Sequence, residues 1–255
     1  MSKKDSVEVT EKEKKTKDEV YISKRVNSLY RKTKRRRVIF TVVLVLFILN
    51  LMLYIGISLE SDEDQPVKIS VSKNQTSALT LSDNNFKDQT PYLHAQAPEE
   101  ITNITYSSIP LTDIDSIYGS HNGENYVAYT FDLKNTSEHV LNVEEELIIT
   151  STTKGIEKAI RVMIYTNGEQ MIYASPITGT DEAEPISEDT PKLTTPFVDS
   201  YTILRNTVEN FSVEAIRRYT IVIWIEGSDP DCVDSAIGSE FRVAFNFRIL
   251  PMEEN

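Results

Sequence analysis

The sequence predicts an all-β fold, a two-layer antiparallel β-sandwich preceded by one transmembrane helix. Three observations carry that reading. Apolar residues recur with period two through much of the chain after Ile101, which is the pattern of strands with one buried face. An Asn167-Gly168 pair separates two such stretches, and Asn-Gly supplies the positive φ angles of a tight hairpin turn. Before all of this stands one uncharged run of 22 residues, 38–59 (VIFTVVLVLFILNLMLYIGISL). As a helix it would extend roughly 33 Å, enough to cross a hydrocarbon core of ~30 Å.

The first segment, residues 1–37, reads as a basic cytoplasmic tail. It carries 14 Lys/Arg against six Asp/Glu, whereas the rest of the chain carries 13 against 33. Its first 19 residues hold almost no large apolar side chain and cannot repay the entropy of ordering. Ile22, Val26, Leu29 and Tyr30 then follow helical spacing among cations, which suits either a helix on the inner leaflet or a plain topogenic signal.

Orientation comes from the flanks of the apolar run. Arg31, Lys32, Lys34, Arg35, Arg36 and Arg37 precede it, and Glu60-Ser61-Asp62-Glu63-Asp64 follows. Cationic flanks stay inside, so these six residues orient the chain with its N-terminus cytoplasmic and residues 60–255 outside. Signal-peptide cores run to about 7–15 residues and end at a small-residue cleavage site. This run is longer, and Gly56-Ile57-Ser58 is its nearest match to such a site, so residues 38–59 read as an uncleaved signal anchor in the cell membrane.

Residues 60–100 read as a flexible stalk. Acids come first, then a Ser/Asn/Gln/Thr-rich stretch with prolines at 66, 91 and 98. Within it, Val67-Lys-Ile-Ser-Val alternates briefly as a strand would. The outer domain is expected over 101–252.

In that domain, Val127, Tyr129, Phe131 and Leu133 alternate with Ala128, Thr130 and Asp132. Leu141, Val143, Leu147 and Ile149 repeat the pattern, interrupted by Glu145, which needs a partner if it points inward. Residues 160–166 and 169–174 flank the Asn-Gly turn, and 175–200 read as a long surface loop. The run 219–225 (YTIVIWI) is continuously apolar and suits a central strand buried on both faces. Phe241, Val243, Phe245, Phe247 and Ile249 form the last inward face, with Arg242, Asn246 and Arg248 outward. Single helical turns are expected at 156–159 and 233–237. Jelly-roll and immunoglobulin-like topologies both fit this order.

Chemistry-bearing patterns are sparse. Glu226, Asp229, Asp231 and Asp234 gather at one bend. Asp229, Asp231 and Asp234 are the candidate ligands for a calcium ion, although the spacing lacks the Gly and Glu of an EF-hand and Asp is also an ordinary turn and cap residue. Cys232, the single cysteine, sits among acids that blunt a thiol and reads as a half-buried structural residue. No zinc-protease helix, nucleophile elbow or phosphate loop occurs. The expectation is therefore a protein that is not an enzyme and holds no cofactor. An exterior of net charge −20 disfavours nucleic acid, which leaves the lipid bilayer and another surface protein, or self-assembly, as the expected partners.

Three stretches carry a family resemblance: Tyr126-Val-Ala-Tyr-Thr-Phe-Asp-Leu-Lys-Asn-Thr-Ser, Ala159-Ile-Arg-Val-Met-Ile-Tyr-Thr-Asn-Gly and Tyr219-Thr-Ile-Val-Ile-Trp-Ile-Glu-Gly-Ser-Asp-Pro-Asp-Cys. Over about residues 120–250 the chain resembles a group of exported or membrane-anchored proteins of Firmicutes, distantly similar to the camelysin and TasA surface-fibre family. That resemblance implies a jelly-roll-like sandwich at a bacterial cell surface. It departs from the family in the uncleaved anchor, and it transfers no catalytic residue because no zinc-protease motif is present. Together these readings describe a single-pass, membrane-anchored surface protein whose outer domain is a binding or assembly module. The alternative is a tethered sensor that relays an external signal to the basic tail.

Overall fold

The computed structural model describes residues 39–51, 65–96, 98, 100–186 and 194–251. Residues 39–51 are helical with exposed side chains. Among the described residues no helix is long and apolar enough to cross a membrane. The rest of the expected anchor, 38 and 52–59, lies outside the described residues, as does the whole basic tail, 1–37, with its orienting cations at 31–37.

By contact density, Asp64–Asn255 forms one unit, separate from Met1–Glu63. Its described residues build twelve strands: β1 (Val67–Val71), β2 (Leu79–Ser82), β3 (Tyr92–Ala95), β4 (Gly119–Ser120), β5 (Tyr126–Asn135), β6 (Leu141–Thr152), β7 (Ile160–Thr166), β8 (Glu169–Ala174), β9 (Thr195–Pro196), β10 (Thr202–Phe211), β11 (Ile216–Ile225) and β12 (Phe241–Leu250). One sheet has the order β10-β6-β12-β1-β3, and the other β2-β5-β11-β7-β8-β9 with β4 alongside β5. One buried cluster draws on both sheets, so they share a core in a sandwich-like arrangement. At its centre Phe131 of one sheet meets Phe245 of the other edge-on at 6.0 Å between ring centroids. All the strands and the whole of this core lie within the one unit, which therefore carries what it needs to fold without the preceding segment.

Two expectations need correction here. The sheets are mixed rather than wholly antiparallel: β1 runs parallel to β12, with Ile69 opposite Phe245, and β8 runs parallel to β9. The stretch expected as a stalk instead supplies β1, β2 and β3. Val67, Ile69 and Val71 bury one face of β1, and Leu79 and Leu81 are fully buried. This short alternation earns its place because the edge of β12 is open to it, a long-range pairing that composition does not reveal.

The outer faces also differ. The first sheet alternates cleanly, as β6 and β12 show. The second is buried on both sides: Ala128, Met163, Val222 and Trp224 on its outer face pack under Tyr106, Ile109, Ile114 and Ile186. The segment around 104–116 thus forms a third layer, and this explains why β11 is apolar without alternation.

Asn167 and Gly168 make the β7–β8 turn with φ of 49° and 87°, and the flanking strands have the expected bounds. The helical turns expected at 156–159 and 233–237 are found at Ile156–Lys158 and Asp234–Ala236, and further single turns stand at Lys73–Gln75, Tyr106–Ser108 and Ile114–Ser116.

Candidate functional site

The acidic bend is the first place to test. Asp229 is buried, and its Oδ2 lies 2.5 Å from Arg161 Nη2. Its Oδ1 accepts the backbone N–H of Asp231 at 2.8 Å. Both oxygens are thus spent on pinning the loop. Asp231 and Asp234 point into solvent, and among the described residues no group of three His, Cys, Asp or Glu is placed to hold a metal ion. The structure therefore does not bring Asp229, Asp231 and Asp234 together as ligands. Asp229 serves a buried arginine because desolvated guanidinium requires a carboxylate partner. Glu226, at the same bend, is fully buried and accepts hydrogen bonds from Trp224 Nε1 (3.0 Å), Tyr106 N (3.1 Å) and Ser228 Oγ (2.8 Å). It fastens the third layer to β11. Cys232 is half-buried, its Sγ accepting from Asn103 Nδ2 at 3.2 Å.

Glu145 points inward, as its register in β6 requires, and is partnered. Tyr219 donates its hydroxyl at 2.7 Å and Asn206 its amide at 2.8 Å. Arg217 Nη2 stands 3.9 Å away. This carboxylate is enclosed between the sheets and has no opening to substrate-sized space among the described cavities.

Strand edges are the natural surface for assembly, and here they are short or interrupted. β2 and β3 have four residues each and β9 has two. The long edge strand β10 breaks its register with β6 between Thr202 and Leu204 and again between Val208 and Phe211. Asn210 in it has a φ of 54°, and Arg205 and Glu209 are exposed along it. Bulges and charges of this kind discourage edge-to-edge pairing.

An open polar nook lies on the outer face of the second sheet, at the end beside the Asn-Gly turn. Cross-strand pairing builds it: Asp132 of β5 stands opposite Arg218 of β11, in the same ladder as Thr130 opposite Thr220. The two threonine hydroxyls are bonded at 2.7 Å, which seats the buried part of the ladder. Asp132 Oδ1 accepts from Arg218 Nε at 3.0 Å, and Oδ2 accepts from the Tyr118 hydroxyl at 2.9 Å. That hydroxyl also takes a hydrogen bond from Arg218 Nη2, and the guanidinium lies 4.5 Å from the centroid of the Tyr118 ring, a cation–π contact. Asp115 and Asn167 reach the same nook, whose volume is about 320 Å³.

Two influences oppose each other at Asp132. Arg218 favours the charged carboxylate, while burial opposes it. Burial prevails: the Asp132 side chain is 2% exposed, against 37% for Arg218, and desolvation pushes the carboxyl up to about 6. Strand alternation alone puts Asp132 on an outward face and does not identify its partner. An acid within an apolar strand, and an arginine at the start of another, were the available signals; their pairing depends on register.

No family model matches the chain, and no curated protein matches it. Among solved structures, the crystal structure of a β-glucosidase from Kluyveromyces marxianus in complex with glucose aligns at 10% identity with a TM-score of 0.22, covering 66% of this chain and 16% of that one. The chain thus spans about a sixth of that enzyme's length, and a likeness this faint carries no argument.

Proposed function

We propose that the chain is a single-pass, membrane-anchored cell-surface protein whose outer domain is a β-sandwich that binds a ligand at the Asp132–Arg218 nook. The observation that carries the reading is the nook itself: a buried carboxylate, a half-exposed guanidinium and an aromatic ring held together by strand register at an open surface. The anchor is supported by the uncharged run at 38–59 and its cationic flank, and by a complete two-sheet unit that begins only after them. Blunted strand edges favour binding at a site over assembly by sheet extension. Guanidinium, carboxylate and amide groups converging beside an exposed apolar side chain, Ile216, suit a small hydroxyl-bearing ligand such as a surface sugar.

The test is a glycan array probed with the purified domain 64–255. Wild type is expected to select a subset of sugars, and Arg218→Ala to lose that selection. Ile216→Asp, at a side chain that is exposed and makes no core contact, is the control for folding and should weaken the same hits. No selective binding by wild type, or selection unchanged in both variants, would overturn the assignment. The tethered-sensor alternative draws its support from the carboxyl value of about 6 at Asp132, which would let mild acid change how Tyr118 and its segment are held.

A further inference from the structure

The two sheets part at the end where β1, β7 and β12 begin and β11 finishes, leaving an apolar cleft of about 270 Å³ between them. Ile156, Ile160 and Ile223 form its buried floor, and the half-buried Ile101, Ile225 and Phe241 its walls. At the rim, Arg242 Nη2 stands 3.4 Å from Glu240 Oε2, with 26% and 55% of the two side chains exposed. The cleft is at the small end of ligand pockets, sized for part of one chain-like molecule. Its mouth presents one positive and one negative group side by side over an apolar interior.

The position of this cleft in the chain indicates an occupant. Pro66 lines it, and the apolar run ends at Leu59. Seven residue steps at ~3.3–3.6 Å each cannot reach beyond roughly 25 Å. On the reading that residues 38–59 span the bilayer, Pro66 is therefore joined to the end of the span by no more than that length of chain. We propose that the cleft takes the alkyl chain of a single-chain zwitterionic phospholipid, with Arg242 pairing its phosphate and Glu240 its ammonium. An acidic domain disfavours a purely anionic amphiphile, and the paired rim charges match a head that carries both signs. The inference rests on the anchored reading for the source of the ligand but not for the binding chemistry.

The domain 64–255 separates the two questions, because it lacks the run. Calorimetric titration with monomeric lauroyl lysophosphatidylethanolamine should show saturable one-to-one binding. Ile101→Trp, which fills the cleft from a loop, should weaken it by about tenfold or more while keeping a cooperative melt. Should that variant unfold, Arg242→Glu is the second arm, since it should lose the preference for the lysophospholipid over dodecanol. Absence of saturable binding by wild type would overturn the proposal. So would binding unchanged in folded Ile101→Trp, head preference unchanged in Arg242→Glu, or displacement of the lipid by a peptide of residues 52–59. None of these outcomes bears on whether the full chain is anchored, which is measured separately in cells.

Discussion

Arg161 Nη2 lies 2.5 Å from Asp229 Oδ2, and each side chain is 1% exposed. Arg161 also donates from Nε to the Pro185 carbonyl at 2.8 Å, and from Nη1 to the carbonyls of Lys158 (3.1 Å) and Ile160 (3.2 Å). One buried guanidinium thus ties the start of β7 to the helical turn before it, to the loop after β8 and to the acidic bend after β11. Of the four acids at that bend, Asp229 is the one that answers this cation.

Removing one partner leaves the other buried charge without its counter-charge. Asp229→Ala should destabilise the domain by about 3–5 kcal/mol, and pairing it with Arg161→Met should recover much of that loss. Urea unfolding of the single and the double variant beside wild type measures both. Calcium should leave the wild-type melt in place, whereas a ligand at one hundred times its Kd would stabilise by about 2.7 kcal/mol.

Asp132 makes stability depend on pH in a direction opposite to an ordinary ion-paired carboxylate. Its folded value is about 6 against an ordinary 3.8, so between those values the native state holds a proton that the unfolded chain has released. The contribution is full below about pH 4 and falls away as pH rises through about 6. The Asp132→Asn variant should lose that part of the slope in denaturant midpoints taken from pH 4 to 7. Arg218→Ala should push the carboxyl value further up, because it removes the cation bonded to it. A carboxyl titration by NMR centred at or below 3.8 would contradict this assignment.

The shared core gives a plainer expectation. Phe245 is fully buried and packs against Phe131, Tyr219 and Phe247 with centroids 6.0, 5.4 and 4.7 Å away. Phe245→Ala should cost roughly 3–5 kcal/mol. Arg248, 60% exposed although it bonds Glu144 at 2.6 Å, should change stability by about 0.5 kcal/mol or less on truncation to alanine. Equilibrium unfolding of both variants checks the contrast.

Local chemistry was legible in the sequence, and pairing was not. The Asn167-Gly168 hairpin, the inward faces of β5, β6 and β12 and the twice-buried β11 follow from period and turn residues, which act over a few positions. The need of Glu145 for a partner was likewise readable, but not that Tyr219 and Asn206 would supply it from two other strands. The alternation of β1 was readable but its place in the core was not, because its five residues gain their burial from β12, 176 positions later. The nook was hidden for the same reason. Asp132 and Arg218 are 86 residues apart, and only the register of β5 against β11 makes them neighbours. The Asp229 cluster was misleading because composition shows carboxylates but not the arginine that consumes one of them.

The proposed topology puts the domain after Glu63 on the outer side of the membrane and the tail before Val38 in the cytoplasm. Labelling of intact cells with a membrane-impermeant maleimide measures this directly, in a Cys232→Ser background that removes the single native thiol. Ser235→Cys, exposed in the turn before β12, should label in intact cells, and Ser6→Cys only after the membrane is opened. Labelling of Ser6→Cys alone in intact cells, or of neither before permeabilisation, would contradict the account.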